Sequence, residues 1–172
     1  MTLDHGLQQI RWVGRRHITG SMLAVAPHLR PIRVKAHALG RNDPHRDTLL
    51  SPQHRVLLTG WQAELVSGYR EVLVPVKALV NDEEIRVISP PEGVVYHHIL
   101  FDDHEIIWGD GLRSESLNPS RRALQGFDVQ ARAELLEIFP ELDGAETQYP
   151  LARTLVGGAE MGLLAELYEK RT

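Results

Sequence analysis

The sequence predicts a mainly β domain of short antiparallel strands followed by a two-helix extension, and three observations lead to that class. Through the first two-thirds of the chain, Pro and Gly recur about every ten residues, and the stretches between them are short and rich in Val, Ile and Leu. From residue 120 onward the apolar residues instead follow a helical period. Hydrophobic residues make up 42% and charged residues 24% of the 172, a balance that suits one folded domain and excludes disordered, collagen-like and coiled-coil classes.

Strands are expected near residues 9–12, 32–36, 49–50, 56–59, 69–75, 85–89, 94–101 and 105–108, where β-branched and aliphatic side chains cluster between turn formers. Asn81-Asp82-Glu83-Glu84, Asp102-Asp103 and Asp110-Gly111 supply turn chemistry. Residues 94–108 read as one hairpin about Asp102-Asp103. Alternation there sets Val95, His97, Ile99 and Phe101 on one face and Tyr96, His98 and Leu100 on the other. Asp128 can cap a helix over 129–139, in which Val129, Ala133, Leu136 and Phe139 share a face and Pro140 enforces the stop. Gly157-Gly158 opens a second helix over 159–169 with Met161, Leu164, Leu167 and Tyr168 as its stripe. The division that follows is a β domain over 1–120 and a helical extension over 121–172, packed on it.

Nineteen Lys and Arg face 23 Asp and Glu, so no overall field draws nucleic acid or an anionic membrane. The charge is uneven: residues 1–86 carry 12 basic and 8 acidic side chains, residues 87–172 carry 7 and 15. The cluster Arg11-Trp12-Val13-Gly14-Arg15-Arg16 has no second aromatic platform and reads as a solvated strand end, so no nucleic-acid partner is expected. No apolar run approaches a membrane span, and the first residues lack the form of a signal peptide, which makes a cytoplasmic location the default expectation. With zero Cys, the chain contains no disulfide, no Cys-ligated metal and no thiol nucleophile of its own.

Chemistry concentrates in Ser51-Pro52-Gln53-His54, set between two apolar strands. A hydroxyl and an imidazole three residues apart on a tight Pro turn can converge on one peptide bond. There the turn polarises the carbonyl and His54 protonates the departing nitrogen. The same residues also suit an ordinary solvated turn. His98 and His104 flank the expected hairpin turn and, with His54, offer three ligands to a zinc hydrolase, although no carboxylate pattern fixes such a geometry. No motif for a cofactor or phosphate group is present, and none is expected.

Taken in order, Arg11–Arg16, Pro31–Ala36, Ser51–Leu58, Val72–Asn81 and Tyr96–Gly111, with Glu115-Ser116-Leu117, resemble the bacterial form of the Hint (Hedgehog/intein) domain over about residues 8–120. The resemblance implies a horseshoe of β-strands and self-processing chemistry, with the chain's own N-terminal flanking polypeptide as substrate. In that family a Cys at the domain's first residue attacks the preceding carbonyl, and a second nucleophile or water resolves the thioester. The resemblance assigns Ser51 and His54 to the hydroxyl-x-x-His motif that holds and protonates the scissile amide, and His104 to assistance beside it. Asp47, close in sequence, is a further candidate to orient His54 or to help deprotonate the nucleophile. Two departures matter. The nucleophilic Cys is missing from the chain, so an N-terminally truncated, inactive form is expected. In addition, Asp110-Gly111 and Glu115-Ser116 stand where inteins carry the Asn that cyclises, so splicing is not expected. Bacterial Hint domains often belong to exported proteins, which leaves location open. A non-catalytic β module that binds a protein partner is the alternative from another class.

Overall fold

The computed structural model describes residues 1–119, 124–143 and 150–169; the expected domain boundary at residue 120 lies outside them. In chain order the strands are β1 (Trp12–Ile18), β2 (Ile32–Val34), β3 (Thr48–Leu50), β4 (Arg55–Thr59), β5 (Glu71–Pro75), β6 (Ile85–Val87), β7 (Val94–Leu100), β8 (Ile106–Gly109), β9 (Leu112–Glu115) and β10 (Thr154–Leu155). The helices are α1 (Gly20–Val25), α2 (Trp61–Ser67), α3 (Val129–Ile138) and α4 (Ala159–Glu169). The expected strands from residue 32 onward are present to within a few residues; the first, expected at 9–12, begins only at Trp12 and runs on to Ile18, while α1, α2, β9 and β10 were not expected.

The strands form three sheets: a ribbon of β1 and β7, a five-stranded sheet in the order β10-β5-β4-β9-β8, and a three-stranded sheet in the order β3-β2-β6. All pairings are antiparallel except that of β10 with β5. β4 and β5 run through the middle and bury both faces. Val56, Leu58, Val72 and Val74 enter the main core with Ile32, Val34, Ile85 and Leu112, while Leu57 and Leu73 meet Ile106 on the opposite side. A strand covered on both faces carries a continuous apolar run instead of an alternating one, as Val56-Leu57-Leu58 and Val72-Leu73-Val74 do.

The expected hairpin over residues 94–108 does not form. β7 pairs with β1 over seven positions, from Trp12 opposite Leu100 to Ile18 opposite Val94. β8 pairs with β9 through the turn at Asp110 and Gly111, whose φ values of 53° and 81° suit a tight two-residue reversal. Asp102-Asp103 is thus a passage between two sheets. The facial alternation of β7 holds nevertheless: Val95 and His97 are exposed, His98 is half-buried and Leu100 is fully buried.

Asp128 caps α3 by accepting from the Ala131 N–H at 2.8 Å, and Leu135 of that helix packs with Trp12, Leu100, Leu124, Phe139 and Leu142. α4 inserts Leu164 and Tyr168 into the main core, with the Tyr168 hydroxyl donating to Thr59 O at 2.7 Å. The N-terminal residues lie along the free edge of β8: Leu3 N–H donates to Ile106 O at 2.7 Å, and His5 reaches the buried Glu105 at 2.9 Å.

Candidate active site

The site is assembled where β3 hands over to β4. Ser51 O accepts from His54 N–H at 2.9 Å, closing a turn with Pro52 at the position where its fixed φ belongs. The following segment is pinned on both sides: Pro52 O accepts from Lys77 N–H at 3.2 Å, and His54 O accepts from Val76 N–H at 2.9 Å. The turn therefore holds Ser51 and His54 against a short helical turn, Val76–Leu79, that follows β5. His54 shows part of its surface to solvent, but Nε2 is sealed from it and has no hydrogen-bond partner among the described residues.

The carboxylate beside His54 belongs to Glu115, at the end of β9. Antiparallel pairing of β4 with β9 brings it there: Glu115 Oε1 accepts from the backbone N–H of Arg55 at 3.1 Å, and the Arg55 guanidinium spans both carboxylate oxygens at 3.1 and 3.0 Å. From the other side His104 Nε2 approaches Glu115 Oε2 to 3.3 Å, off the line of a hydrogen bond but within ion-pair range. Reciprocal bonds clamp the two segments, with Ser116 N–H donating to Glu105 O at 2.8 Å and Glu105 N–H to Ser116 Oγ at 2.9 Å. The chain then leaves along β7, where Leu117 N–H donates to Ile99 O at 2.8 Å.

The electrostatics follow from burial and these neighbours. Burial pushes the His54 imidazole below its ordinary value, Glu115 pulls it back, and Arg55 pushes it down again; the net direction is down, so His54 is neutral near pH 7. His98 goes down to about 4, first through burial, then through the charges of His54, Arg16 and His97. For Glu115 burial acts upward, but His104, Arg55 and His54 together outweigh it and hold the carboxyl below its ordinary range. The result is a neutral His54 near one anion that Arg55 already balances, with a second neutral imidazole, His98, within electrostatic range of His54.

Ser51, His54 and His104 thus lie on the segments that converge at Glu115. Asp47 is turned elsewhere: its carboxylate accepts from Ala36 N–H at 3.0 Å and lies 3.8 Å from Arg33, which ties the loop before β3 to β2. Glu115 and Arg55 are the contributors that the sequence did not single out, and His98, expected only as a metal ligand, is instead a buried neutral imidazole beside His54. No local pattern marks the pair of Glu115 and Arg55, because the two meet only through the long-range pairing of β4 with β9. Among the described residues no group of three or more His, Asp or Glu is placed to hold one metal ion, so the zinc arrangement of His54, His98 and His104 is not assembled.

Comparison with curated proteins and with solved structures gives no match. A family model described as Hint domain matches residues 1–121, which take in the ribbon, the strands β2 to β9 and every residue of the site described above. With most of the chain matched and a mostly β architecture bearing helices at its C-terminal end, this protein belongs to the Hint domain family and carries a Hint-type β fold.

Proposed function

We propose that this domain is an autoprocessing module that activates the peptide bond at its own N-terminal junction for an N-to-S or N-to-O acyl shift. The observation that carries the reading is His54 Nε2: a neutral imidazole nitrogen sealed from solvent, without a partner, on a turn pinned beside an Arg-balanced carboxylate. Leaving a buried polar atom unpaired costs about 1–3 kcal/mol, a cost that a group awaiting substrate accounts for.

In the proposed step the nucleophile's proton passes to neutral His54 as its sulfur or oxygen bonds to the scissile carbonyl carbon. The C–N bond then breaks, His54 returns the proton to the departing nitrogen, and an ester or thioester and a free amine result. Ser51 and the turn it closes orient the carbonyl. Arg55 keeps Glu115 ionised, and that charge stabilises the imidazolium formed in passing. These 172 residues contain no Cys, so a thiol nucleophile has to come from outside them. Glu115 is committed to Arg55 and offers no side-chain amide, which supports cleavage at the N-terminal junction over splicing. The experiment is mass spectrometry of the protein made from its whole reading frame, treated with hydroxylamine or a thiol. Cleavage at the domain's N-terminal junction that is lost in His54→Ala supports the reading, and an uncleaved product with the site intact refutes it.

A further inference from the structure

We propose that residues 151–155, beyond the segment the family model matches, are a working part of the site: the Ala152 N–H fixes His104 as a neutral imidazole with its proton on Nε2, and Arg153 holds Ala152 in place to do so. The inference rests on the autoprocessing reading and adds to it a role for His104 and the element that sets that role.

The geometry begins with the ring. The His104 side chain is fully buried, and the Ala152 N–H donates to Nδ1 at 3.1 Å. Of the two ways round the ring can sit, only this one gives that N–H an acceptor; the other would set a C–H against it. An N–H aimed at Nδ1 leaves no room for a proton there, so the proton resides on Nε2. Nε2 in turn faces the site 3.3 Å from Glu115 Oε2 without an aligned hydrogen bond. A buried N–H donor with no well-aligned acceptor suits the oxygen of a scissile carbonyl, on which negative charge grows as the nucleophile attacks. His104 therefore polarises the carbonyl as a neutral donor, while His54 carries the proton.

Ala152 owes its position to what flanks it. Arg153 forks onto Asp4 at 2.7 and 3.0 Å and reaches Glu71 at 2.6 Å, tying this segment to the N-terminal residues and to the start of β5. β10 then adds in parallel to β5, Thr154 opposite Val72 and Leu155 opposite Leu73, and Val156 N–H donates to Leu73 O at 3.2 Å. The Ala152 side chain packs against the cluster of Leu57, Leu73 and Ile106. Three anchors within five residues flank the backbone amide that donates to His104.

The test is the nitrogen NMR spectrum of the full chain with ring-labelled histidine at pH 7.5, which distinguishes the two tautomers without any substrate. His104 should show its proton on Nε2. In Arg153→Gln and in Ala152→Pro a substantial share of Nδ1–H tautomer should emerge, and Arg153→Lys should restore most of the original pattern; the backbone amide spectrum verifies that each variant is folded. In the whole-reading-frame protein Arg153→Gln should slow cleavage roughly ten- to a hundredfold, the size expected for a misplaced catalytic group. A wild-type His104 protonated on Nδ1, or one whose tautomer is unmoved in both folded variants, overturns the inference. Loss of tautomer control with cleavage unaffected removes the role given to His104. Absence of any cleavage removes the autoprocessing reading alone, because the tautomer is read without it.

Discussion

His98 is covered by the C-terminal extension: the Phe127 ring meets it edge-on with centroids 5.1 Å apart, and the same ring meets Trp12 at 5.3 Å. That cover is part of the burial that takes the imidazole down to about 4. Phe127→Ala should therefore move the His98 titration upward toward 6.5, a change that NMR can follow. A stability consequence accompanies it. Above pH 6.5 His98 is neutral folded and unfolded; as pH falls from 6.5 to 4 only the unfolded chain takes the proton, so stability drops across that window and levels off below it. The shift from 6.5 to about 4 corresponds to about 3 kcal/mol, and Phe127→Ala should flatten that stretch of a denaturation-versus-pH curve. Glu115 acts lower down: its depressed value contributes stability that is present above 4.5 and lost as pH falls through the folded value. Its partner Arg55 is a second point of test. Arg55→Ala leaves a buried carboxylate without its guanidinium and should cost about 3 kcal/mol by urea denaturation, whereas Arg55→Met with Glu115→Leu should recover most of that loss. Activity should be lost in both, which separates the pair's structural and catalytic parts.

The β1–β7 ribbon depends on one close approach. A Cβ at Gly14 would run into the tip of the Trp12 ring, so the indole lies across the backbone that glycine leaves bare. Gly14→Ala displaces a ring at the centre of the cluster with Leu100, Leu135 and Phe139 and should destabilise by about 2–3 kcal/mol. Gly109→Ala, where nothing lies within 4 Å, should leave the denaturation midpoint nearly unmoved. These elements also show which parts of the fold were legible. The strands were, because buried aliphatic runs stand between turn formers, and α3 was, because Asp128 and Pro140 bracket it. α1 and α2 span six and seven residues, too short for a helical period to register, and the marks of α2 are the glycines at its two ends, Gly60 and the left-handed Gly68. The pairing of β7 was missed because two turn candidates competed: Asp110-Gly111 takes the positive φ values a two-residue hairpin needs, which frees β7 to cross to β1. The site was legible in its motif turn and in His104. Glu115 was not, because its meaning depends on β4 lying beside β9, a long-range pairing that no local pattern encodes.

Over the molecule as a whole, the segments outside the central strands return to the same place. The N-terminal residues reach Glu105 through His5 and Arg153 through Asp4, Phe127 closes over His98, and Ala152 meets His104. The result is a rigid β frame in which one motif turn, one Arg-balanced carboxylate and three histidines are gathered from distant parts of the sequence. Such preorganisation suits a reaction that needs groups held in place before the bond is strained. The decisive measurement compares, by mass spectrometry, the whole-reading-frame protein and its His54→Ala variant after exposure to hydroxylamine. Acyl activation by this site means two fragments divided at the N-terminal junction in the wild type, and a rate at least roughly a hundredfold lower in the variant. Equal cleavage in both proteins, or none in the wild type, contradicts it.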